Sequence, residues 1–222
     1  INLTVNGSGG DDMLIVDLSG LVGLAAEITF NGGGDGSDND TLQFQNGSAA
    51  SIAYSFANAS DGTITIDSST VTYTGLEPIL DNLTTDHREF TFATTDDVVT
   101  LSDDGTSDNG LLTLSSVSSS ETVTFTNPGT SMGIHLGSGA DQLTVVSLDD
   151  GFAGTLTLNG EGGDDVLNGD DGHDYLDGGI GNDSIAGEDG HDRINAGRGN
   201  DIISGGNGND SLLGGAGRDL IL

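Results

Sequence analysis

The sequence contains no cysteine, no lysine and no tryptophan, and only two prolines in 222 residues. Without cysteine the chain can form neither a disulfide framework nor a thiolate metal site. Its four basic residues are all arginines, set against 36 acidic residues, and the formal net charge is -32. Such a polyanion cannot neutralise phosphates, which excludes nucleic-acid binding, and anionic lipid head groups would repel it. No apolar run approaches the roughly 18 residues that a membrane-spanning helix needs, so we expect no membrane insertion.

Glycine, in contrast, is abundant, and its distribution divides the chain. Every threonine lies at or before Thr157, whereas 18 of the 38 glycines fall in residues 160–222. The break predicts two domains, a β-rich one at 1–158 and a repetitive one at 159–222. Because high charge with modest hydrophobicity approaches the composition of disordered chains, the protein is either marginally stable or needs a counter-ion to fold. The chain also begins in mid-pattern, and we expect it to be a segment of a longer protein.

Residues 160–222 divide into seven consecutive nonapeptides, which is the most specific pattern in the sequence. They read GEGGDDVLN, GDDGHDYLD, GGIGNDSIA, GEDGHDRIN, AGRGNDIIS, GGNGNDSLL and GGAGRDLIL. The eighth place is always Leu or Ile, the fourth always Gly and the sixth always Asp. The fourth-place glycines are Gly163, Gly172, Gly181, Gly190, Gly199, Gly208 and Gly217. The sixth-place aspartates are Asp165, Asp174, Asp183, Asp192, Asp201, Asp210 and Asp219.

The nine-residue period predicts a solenoid of short strands. One large aliphatic residue in nine cannot make an amphipathic helix, which needs three or four in two turns, but it suits a short strand with one inward side chain. The glycine-rich remainder then forms a turn, so that two nonapeptides make one coil. Coils stacked at ~4.8 Å would bring the aspartates of repeats i and i+2 together at strand spacing. Unpaired carboxylates cannot approach so closely in a dry turn, and a hard cation with oxygen ligands, such as Ca²⁺, is expected between them.

The repeat resembles the RTX nonapeptide G-G-x-G-x-D-x-U-x of the calcium-binding parallel β-roll. GGNGNDSLL and GGIGNDSIA match this pattern in full. The resemblance implies that the seven sixth-place aspartates and backbone carbonyls near the seven fourth-place glycines bind Ca²⁺. With one ion between repeats i and i+2, seven repeats enclose five full sites.

Some places depart from the motif, and the early sites are therefore expected to be less regular. Glu161, Asp170 and Glu188 replace the second-place glycine, and Ala196 replaces a first-place glycine. Asp171 and Asp189 add further acid to the turns and are additional candidate metal ligands.

The first 158 residues repeat the theme only singly, between runs of alternating β-branched residues. Glycine-rich segments followed by Asp and an aliphatic residue occur at 7–16, 32–44 and 137–145. Asp12, Asp40 and Asp141 are therefore candidate accessory calcium ligands, with metal-free turn capping as the alternative. Alternating runs such as 63–67 and 122–127 predict strands. We expect an all-β, right-handed parallel β-helix that continues directly into the β-roll; a separate β-sandwich is the alternative.

No catalytic constellation stands out in the sequence, and we expect the protein not to be an enzyme. Residues 129–133 match G-x-S-x-G, but that nucleophile elbow needs a strand before it and a helix after it, and the following IHLGSG predicts a strand and a turn. The H-E-x-x-H motif of zinc proteases does not occur.

These observations favour a structural calcium-binding segment of a large secreted or cell-surface bacterial protein, such as an adhesin, an S-layer protein or an extracellular fibre. It would fold and stiffen on binding about five or more Ca²⁺ ions, as the resemblance to secreted RTX proteins implies. Other copies of the chain, stacked end to end or laterally, are candidate partners. The alternative is an accessory segment of a secreted β-helix enzyme that acts on acidic polysaccharide.

Overall fold

The protein is all-β in the part of the chain that the structure, a computed structural model, describes. The described residues are 2–19, 27–33, 39–58, 60–76, 78–93, 95–106, 109–117, 122–148 and 152–222. They contain 24 strands and no helix, and hence none that could cross a membrane. The segment GLVGLAAE, where the sequence would allow a helical turn, lies outside these residues except for Glu27.

Two sheets of eleven strands each run through the whole described chain. The first sheet contains residues 2–6 and the second contains residues 13–17. The two sheets lie side by side along the stack, with one strand of each at every level. Each passage of the chain from one sheet to the other therefore creates a turn at the edge of the stack.

The N-terminal coils form the first two rungs of the stack. Their strands are β1 (Asn2–Asn6), β2 (Met13–Asp17), β3 (Glu27–Asn31) and β4 (Thr41–Gln45). The pairs β1–β3 and β2–β4 are parallel, so residue 2 aligns with 27 and residue 13 with 41. This alternation between two sheets is the winding of a solenoid.

The central region, residues 48–126, departs from simple winding because each sheet contains an antiparallel meander. Its strands are β5 (Ser48–Phe56), β6 (Gly62–Ile66), β7 (Ser69–Thr74), β8 (Ile79–Asp81), β9 (Thr84–Thr91), β10 (Val98–Asp103), β11 (Leu111–Ser116) and β12 (Thr122–Thr126). Strands β5, β6 and β7 pair antiparallel in the first sheet, and β10, β11 and β12 do so in the second. Parallel pairs join both meanders to the strands on either side.

The sequence reason for the meanders is the shortness of their connections. Parallel neighbours need a long crossover, whereas antiparallel neighbours need only a tight turn. Asp67 and Ser68 alone join β6 to β7, and Asp67 has a left-handed φ of 53°, as a two-residue hairpin requires. The expectation of a parallel helix throughout the first 158 residues is therefore wrong for these two meanders.

The C-terminal coils, residues 131–222, return to regular winding. Their strands are β13 (Ser131–His135), β14 (Gln142–Ser147), β15 (Thr155–Asn159), β16 (Val166–Asn168), β17 (Tyr175–Ile180), β18 (Ser184–Ala186), β19 (Asp189–Gly190), β20 (Arg193–Arg198), β21 (Ile202–Ser204), β22 (Asn207–Gly208), β23 (Ser211–Leu213) and β24 (Leu220–Ile221). The short strands β19 and β22 form a separate two-stranded sheet.

Each of the two large sheets is one continuous series of eleven strands. The first sheet has the order β1-β3-β7-β6-β5-β9-β13-β15-β17-β20-β23, and the second has the order β2-β4-β8-β12-β11-β10-β14-β16-β18-β21-β24.

From residue 166 onward the strand register in the C-terminal coils advances by two nonapeptides. Val166 pairs with Ser184 and Ser184 with Ile202, a step of 18 residues. The stacking of repeats i and i+2 is thus confirmed, and with it an all-β fold whose parallel strands at both ends are consistent with a solenoid. The hand of the winding and the division into two domains stay predictions. Both sheets continue across residue 159, because β15 pairs with β13 on one side and with β17 on the other.

One hydrophobic core lies between the two sheets and changes in character along the stack. In the central region it is aromatic: the ring centroids of Tyr54 and Phe90 lie 4.8 Å apart, and those of Phe90 and Phe125, from opposite sheets, lie 5.0 Å apart. From residue 160 onward it narrows to single aliphatic side chains. These are Leu167, Leu176, Ile185, Ile194 and Ile203, all at most 2% exposed.

A buried ion pair ties the two sheets together in the central region. Arg88 and Asp81 are both fully buried and paired, and Tyr54 donates a hydrogen bond to the same carboxylate. The Arg88 guanidinium also donates to the Leu83 carbonyl at 2.7 Å and to the Thr126 carbonyl at 3.1 Å. Arg88 Nη1 also donates to the Tyr54 hydroxyl at 3.2 Å. Four residues thus satisfy its donors, which is how a buried arginine is tolerated.

Candidate metal centre in two columns of turns

The sixth-place aspartates lie in two columns at the edges of the stack. The first turn column, where the chain passes from the first sheet to the second, holds Asp165, Asp183, Asp201 and Asp219. The second turn column, where the chain returns, holds Asp174, Asp192 and Asp210. The structure therefore brings together the residues that the nonapeptide pattern singles out, in two groups.

Within each column the aspartates form a hydrogen-bonded ladder. The backbone N–H of Asp165 donates to Oδ1 of Asp183 at 2.9 Å, and that of Asp183 donates to Oδ1 of Asp201 at 2.9 Å. The second turn column repeats this contact from Asp174 to Asp192 and from Asp192 to Asp210, each at 3.0 Å. One carboxylate oxygen of each stacked aspartate is thus fixed by the backbone of the preceding coil.

The other carboxylate oxygen has no partner. Within the described residues, Oδ2 is buried and makes no hydrogen bond in Asp165, Asp174, Asp183, Asp192 and Asp201. These residues are at most 5% exposed. A buried polar atom without a partner normally costs about 1–3 kcal/mol, and more if it is charged. Five of them in one structural role indicate a missing positive ligand.

The first-place glycines leave space beside these oxygens. A Cβ built on Gly178 would lie 2.5 Å from Asp183 Oδ2 and 2.7 Å from the carbonyl oxygen of Ala196 in the next coil. The same two kinds of oxygen, one carboxylate and one carbonyl, face the missing Cβ of Gly160, Gly169 and Gly187. Each of these four turns therefore has a cradle, defined as the space between a first-place Gly, its sixth-place Asp Oδ2 and the carbonyl of the next first place; the turn of Asp201 has Ala196 at its first place instead.

The chemistry of a cradle fits Ca²⁺. Carboxylate and carbonyl oxygens are hard donors, and Ca²⁺ accepts six to eight of them with flexible geometry. In the described residues no three acidic or histidine side chains converge on one point. An ion in these turns would accordingly rely on backbone carbonyls for most of its ligands. The sequence predicts such carbonyls near the fourth-place glycines, and this stays a prediction; the structure also brings the first-place carbonyls close to Asp Oδ2.

The second and fourth places are glycine-rich for a conformational reason. Gly179 has φ of 97° and Gly181 has φ of 152°, which side chains rarely adopt. Glu161, Asp170 and Glu188 nevertheless hold the second place with φ of 67°, 68° and 71°. The motif departures in the early repeats thus carry backbone strain rather than a different turn.

Burial perturbs the ladder carboxylates strongly. It raises the pKa of Asp165 to about 7, of Asp174 to about 8 and of Asp183 to about 6, with neighbouring aspartates adding to the effect. The pKa of Asp192 is also raised, again mainly by burial. In the absence of a cation these turns favour protonated carboxyl groups, because nothing positive compensates the buried charge.

The additional candidate ligands divide into two groups. Asp12, Asp40 and Asp141 all lie in the first turn column, and Asp141 joins the ladder through its N–H bond to Asp165 Oδ1 at 2.9 Å. Asp171 and Asp189 are exposed in the second turn column, where Asp189 accepts a 2.6 Å hydrogen bond from Asn207 Nδ2. Sequence reasoning missed Asp97, whose N–H donates to Asp141 Oδ1 at 2.7 Å; the absence of glycine in its turn hid it.

The G-x-S-x-G match lies at the beginning of β13 rather than at a strand-to-helix elbow. Ser131 Oγ contacts His87 Nδ1 at 2.8 Å on the outer face of the first sheet. Residues 131–135 are strand and the turn at 136–141 leads into β14. The arrangement lacks the helix that a nucleophile elbow requires.

Comparison with known protein families bears on this part of the chain. The family model of the RTX calcium-binding nonapeptide repeat, which contains four copies, matches residues 150–185 and again residues 186–221. The match covers about a third of the chain. No curated protein and no solved structure matches the chain in the corresponding searches.

Proposed function

We propose that the C-terminal coils, whose residues 150–221 are RTX calcium-binding nonapeptide repeats, form a segment that folds and stiffens when Ca²⁺ fills the two turn columns. The family match indicates a structural calcium-binding role and not a catalytic one. The observation that carries the finer proposal is the row of buried Asp Oδ2 atoms without hydrogen-bond partners.

The proposed ligands are the seven sixth-place aspartates, with backbone carbonyls of the same turns. Asp165 and Asp183, Asp183 and Asp201, and Asp201 and Asp219 would share ions in the first turn column. The pairs Asp174–Asp192 and Asp192–Asp210 would do so in the second, which gives five ions. The ion supplies the positive charge that the turns lack, and the ladder holds each carboxylate in place with Oδ2 directed at the cradle.

Energy considerations support coupling between binding and folding. Ordering the backbone costs about 1–2 kcal/mol per residue, whereas burial of one aliphatic side chain contributes about 1.5–3 kcal/mol. A nonapeptide that buries one large aliphatic residue cannot offset that cost by burial alone. The stacked carboxylates add repulsion, since residues 160–222 contain 14 acidic residues and 3 arginines. Calcium binding free energy then becomes folding free energy.

This coupling suits a protein that meets high calcium outside the cell. We propose that the chain belongs to a secreted or cell-surface bacterial protein, such as an adhesin, S-layer protein or extracellular fibre, with a right-handed roll that continues a β-helix. Two features support an extracellular structural role: the RTX repeats and a formal net charge of -32, which calcium ions offset. Stacking with other copies remains part of the same proposal.

The test combines hydrogen exchange with one isosteric variant. In the full chain, peptides from residues 160–222 should exchange rapidly in chelator and slowly in saturating calcium, while peptides from the central region should change little. Asp183→Asn keeps the Oδ1 acceptor of the ladder but removes the charge shared by two sites. It should lower the number of bound calcium ions counted by native mass spectrometry and raise the calcium midpoint at least tenfold.

The matched control is Asp177→Asn, which removes the same charge from the outer face of β17 in the same coil. It should leave both the ion count and the midpoint within twofold of the unmodified protein. Exchange of residues 160–222 that is indifferent to calcium would overturn the proposal, as would an unchanged ion count in Asp183→Asn.

A further inference from the structure

The first residues of two N-terminal turns make the same backbone hydrogen bond as the first residues of the C-terminal cradles. Gly7 N–H donates to the Asn31 carbonyl at 2.7 Å, and Gly32 N–H donates to the Thr74 carbonyl at 2.9 Å. Gly160 makes the corresponding bond to the Asp177 carbonyl at 2.9 Å. Gly7 and Gly32 therefore occupy the first place of their turns, more than 100 residues before the nonapeptide array.

Asp40 has the same two-sided environment as the ladder aspartates. Its Oδ1 accepts the N–H of Asp12 at 2.8 Å, and the residue is 1% exposed. Its Oδ2 is buried and has no hydrogen-bond partner within the described residues. A Cβ on Gly32 would overlap both this oxygen and the carbonyl oxygen of Gly75 in the next rung.

Asp12 completes the arrangement from the first coil. A Cβ on Gly7 would overlap the Gly32 carbonyl oxygen and lie 2.6 Å from Asp12 Oδ2. That Oδ2 also accepts the Ser8 N–H at 2.7 Å, so Asp12 is partly satisfied and Asp40 is not. The Asp12 carboxylate thus lies near the Gly32 carbonyl, and the Asp40 carboxylate lies near the Gly75 carbonyl.

Asp97 and Asp141 lie in the same turn column but have no first-place glycine, although Asp141 Oδ2 is also buried without a hydrogen-bond partner within the described residues. Phe92 and Leu136 hold the first place of their turns, as their N–H bonds to the carbonyls of His135 at 2.8 Å and Asn159 at 3.0 Å show. Both side chains are buried in the core. A large apolar side chain thus stands where the other turns have glycine.

We propose that a calcium ion binds between the N-terminal coils, held by the Asp40 and Asp12 carboxylates and the carbonyls of Gly32 and Gly75. The turns of Asp97 and Asp141 bind none. The first place decides between the two cases, because glycine, or Ala196 in the array, leaves room beside the carboxylate, whereas a large apolar side chain does not. This site goes beyond the proposed function, since it lies outside the residues that the RTX repeats occupy.

Two variants of the full chain test the site, with calcium itself as the probe. Asp40→Asn retains the Oδ1 acceptor for Asp12 and should bind one ion fewer by native mass spectrometry. Gly32→Leu changes no charge but puts at the first place the side chain that Leu136 has in the Asp141 turn, and should lose the same ion. Titration calorimetry in the same buffer gives an independent stoichiometry.

Each variant has a matched control. Asp67→Asn removes one acidic charge from an exposed hairpin turn in the same half, and should leave the ion count unchanged. Gly9→Leu adds the same side chain where a Cβ would meet nothing within 4 Å, and should also leave it unchanged. Asp141→Asn is not a control but a test of the first place: it should lose no ion, because its turn holds Leu136 in place of glycine.

The outcomes separate this site from the C-terminal one. If Asp183→Asn binds fewer ions than the unmodified protein but Asp40→Asn and Gly32→Leu do not, the N-terminal site is wrong while the proposed function stands. Loss of an ion in Asp141→Asn would overturn the rule about the first place. A count that falls with Asp40→Asn but not with Asp183→Asn would support this site and contradict the proposed function.

Discussion

The central region and the C-terminal coils share the same two sheets but are stabilised by different means. The central region packs aromatic rings from both sheets and buries the Arg88–Asp81 pair. From residue 160 onward the C-terminal coils have a narrow aliphatic core and direct unpartnered carboxylate oxygens into the turns. The same strand geometry can thus be stabilised by a hydrophobic core or by ions at its edges, and the comparison predicts where calcium matters.

The largest expected effect is a loss of stability in the central region of the Arg88→Met variant. The substitution leaves Asp81 buried without its charge partner, which typically costs about 3–5 kcal/mol. Because no calcium turn is involved, the loss should be equal in calcium and in chelator. Hydrogen exchange of β8, β9 and β12 measures the local free energy of opening.

Arg193→Met serves as the control for Arg88→Met, since Arg193 is exposed and lies 5.9 Å above the Tyr175 ring. It should change the opening free energy by less than about 0.5 kcal/mol. A loss in Arg88→Met that appears only in chelator would show that the two regions are not independently stabilised.

The second effect is a pH dependence confined to the C-terminal coils. In the absence of calcium the pKa values of Asp165, Asp174 and Asp183 are raised to about 7, 8 and 6, from a usual 3.8. Well below pH 3.8 these groups are protonated in both the folded and the unfolded state and do not affect stability. As the pH rises to 8 the unfolded state loses its protons first, so the calcium-free coils lose stability over that range.

Calcium should reverse this pH dependence of stability, because it binds the ionised carboxylates and competes with protons. Circular dichroism in chelator should show more β-structure at pH 5 than at pH 8.5, whereas the calcium midpoint should be lower at pH 8.5. Repeating the chelator series in 0.5 M salt separates surface repulsion, which salt screens, from the burial effect. Chelated coils that gain structure with rising pH would contradict the assignment.

The smallest effect concerns the strained second place of the first nonapeptide. Glu161→Gly relieves a left-handed φ of 67° and should stabilise the calcium-bound coils by about 0.5–1 kcal/mol, after the entropy cost of glycine is deducted. Thermal unfolding in saturating calcium measures the gain. Glu161→Ala removes the same carboxylate but keeps the strain; an equal gain in both variants would attribute the effect to charge instead.

The sequence predicts the C-terminal coils well because their period is both short and strict. Ile185 and Ile203 are 18 residues apart in the sequence and pair in neighbouring strands, as two nonapeptides per coil require. The aspartate columns follow from the same arithmetic. Here each residue contacts its own equivalent in the next coil, so local pattern and tertiary contact carry the same information.

The central region could not be predicted in the same way, because its pairings depend on which strand the chain skips. Nothing local distinguishes the alternating run that becomes β6 from one that would wind to the opposite sheet. Asp67 and Ser68 were a usable hairpin signal. Arg88 gave no signal, since its five donors are satisfied by groups of other segments of the chain. The role of Phe92 and Leu136 becomes visible only when the first places of all the turns are aligned.

The aspartate ladder also has a direction. In every contact the carboxylate of a later coil accepts the backbone N–H of an earlier one, from Asp40 to Asp12 and from Asp219 to Asp201. A newly formed coil therefore docks through its own side chain onto backbone that is already in place. Growth from the central region toward residue 222 can therefore proceed one coil at a time, because each new coil brings the acceptor for a donor that is already in place.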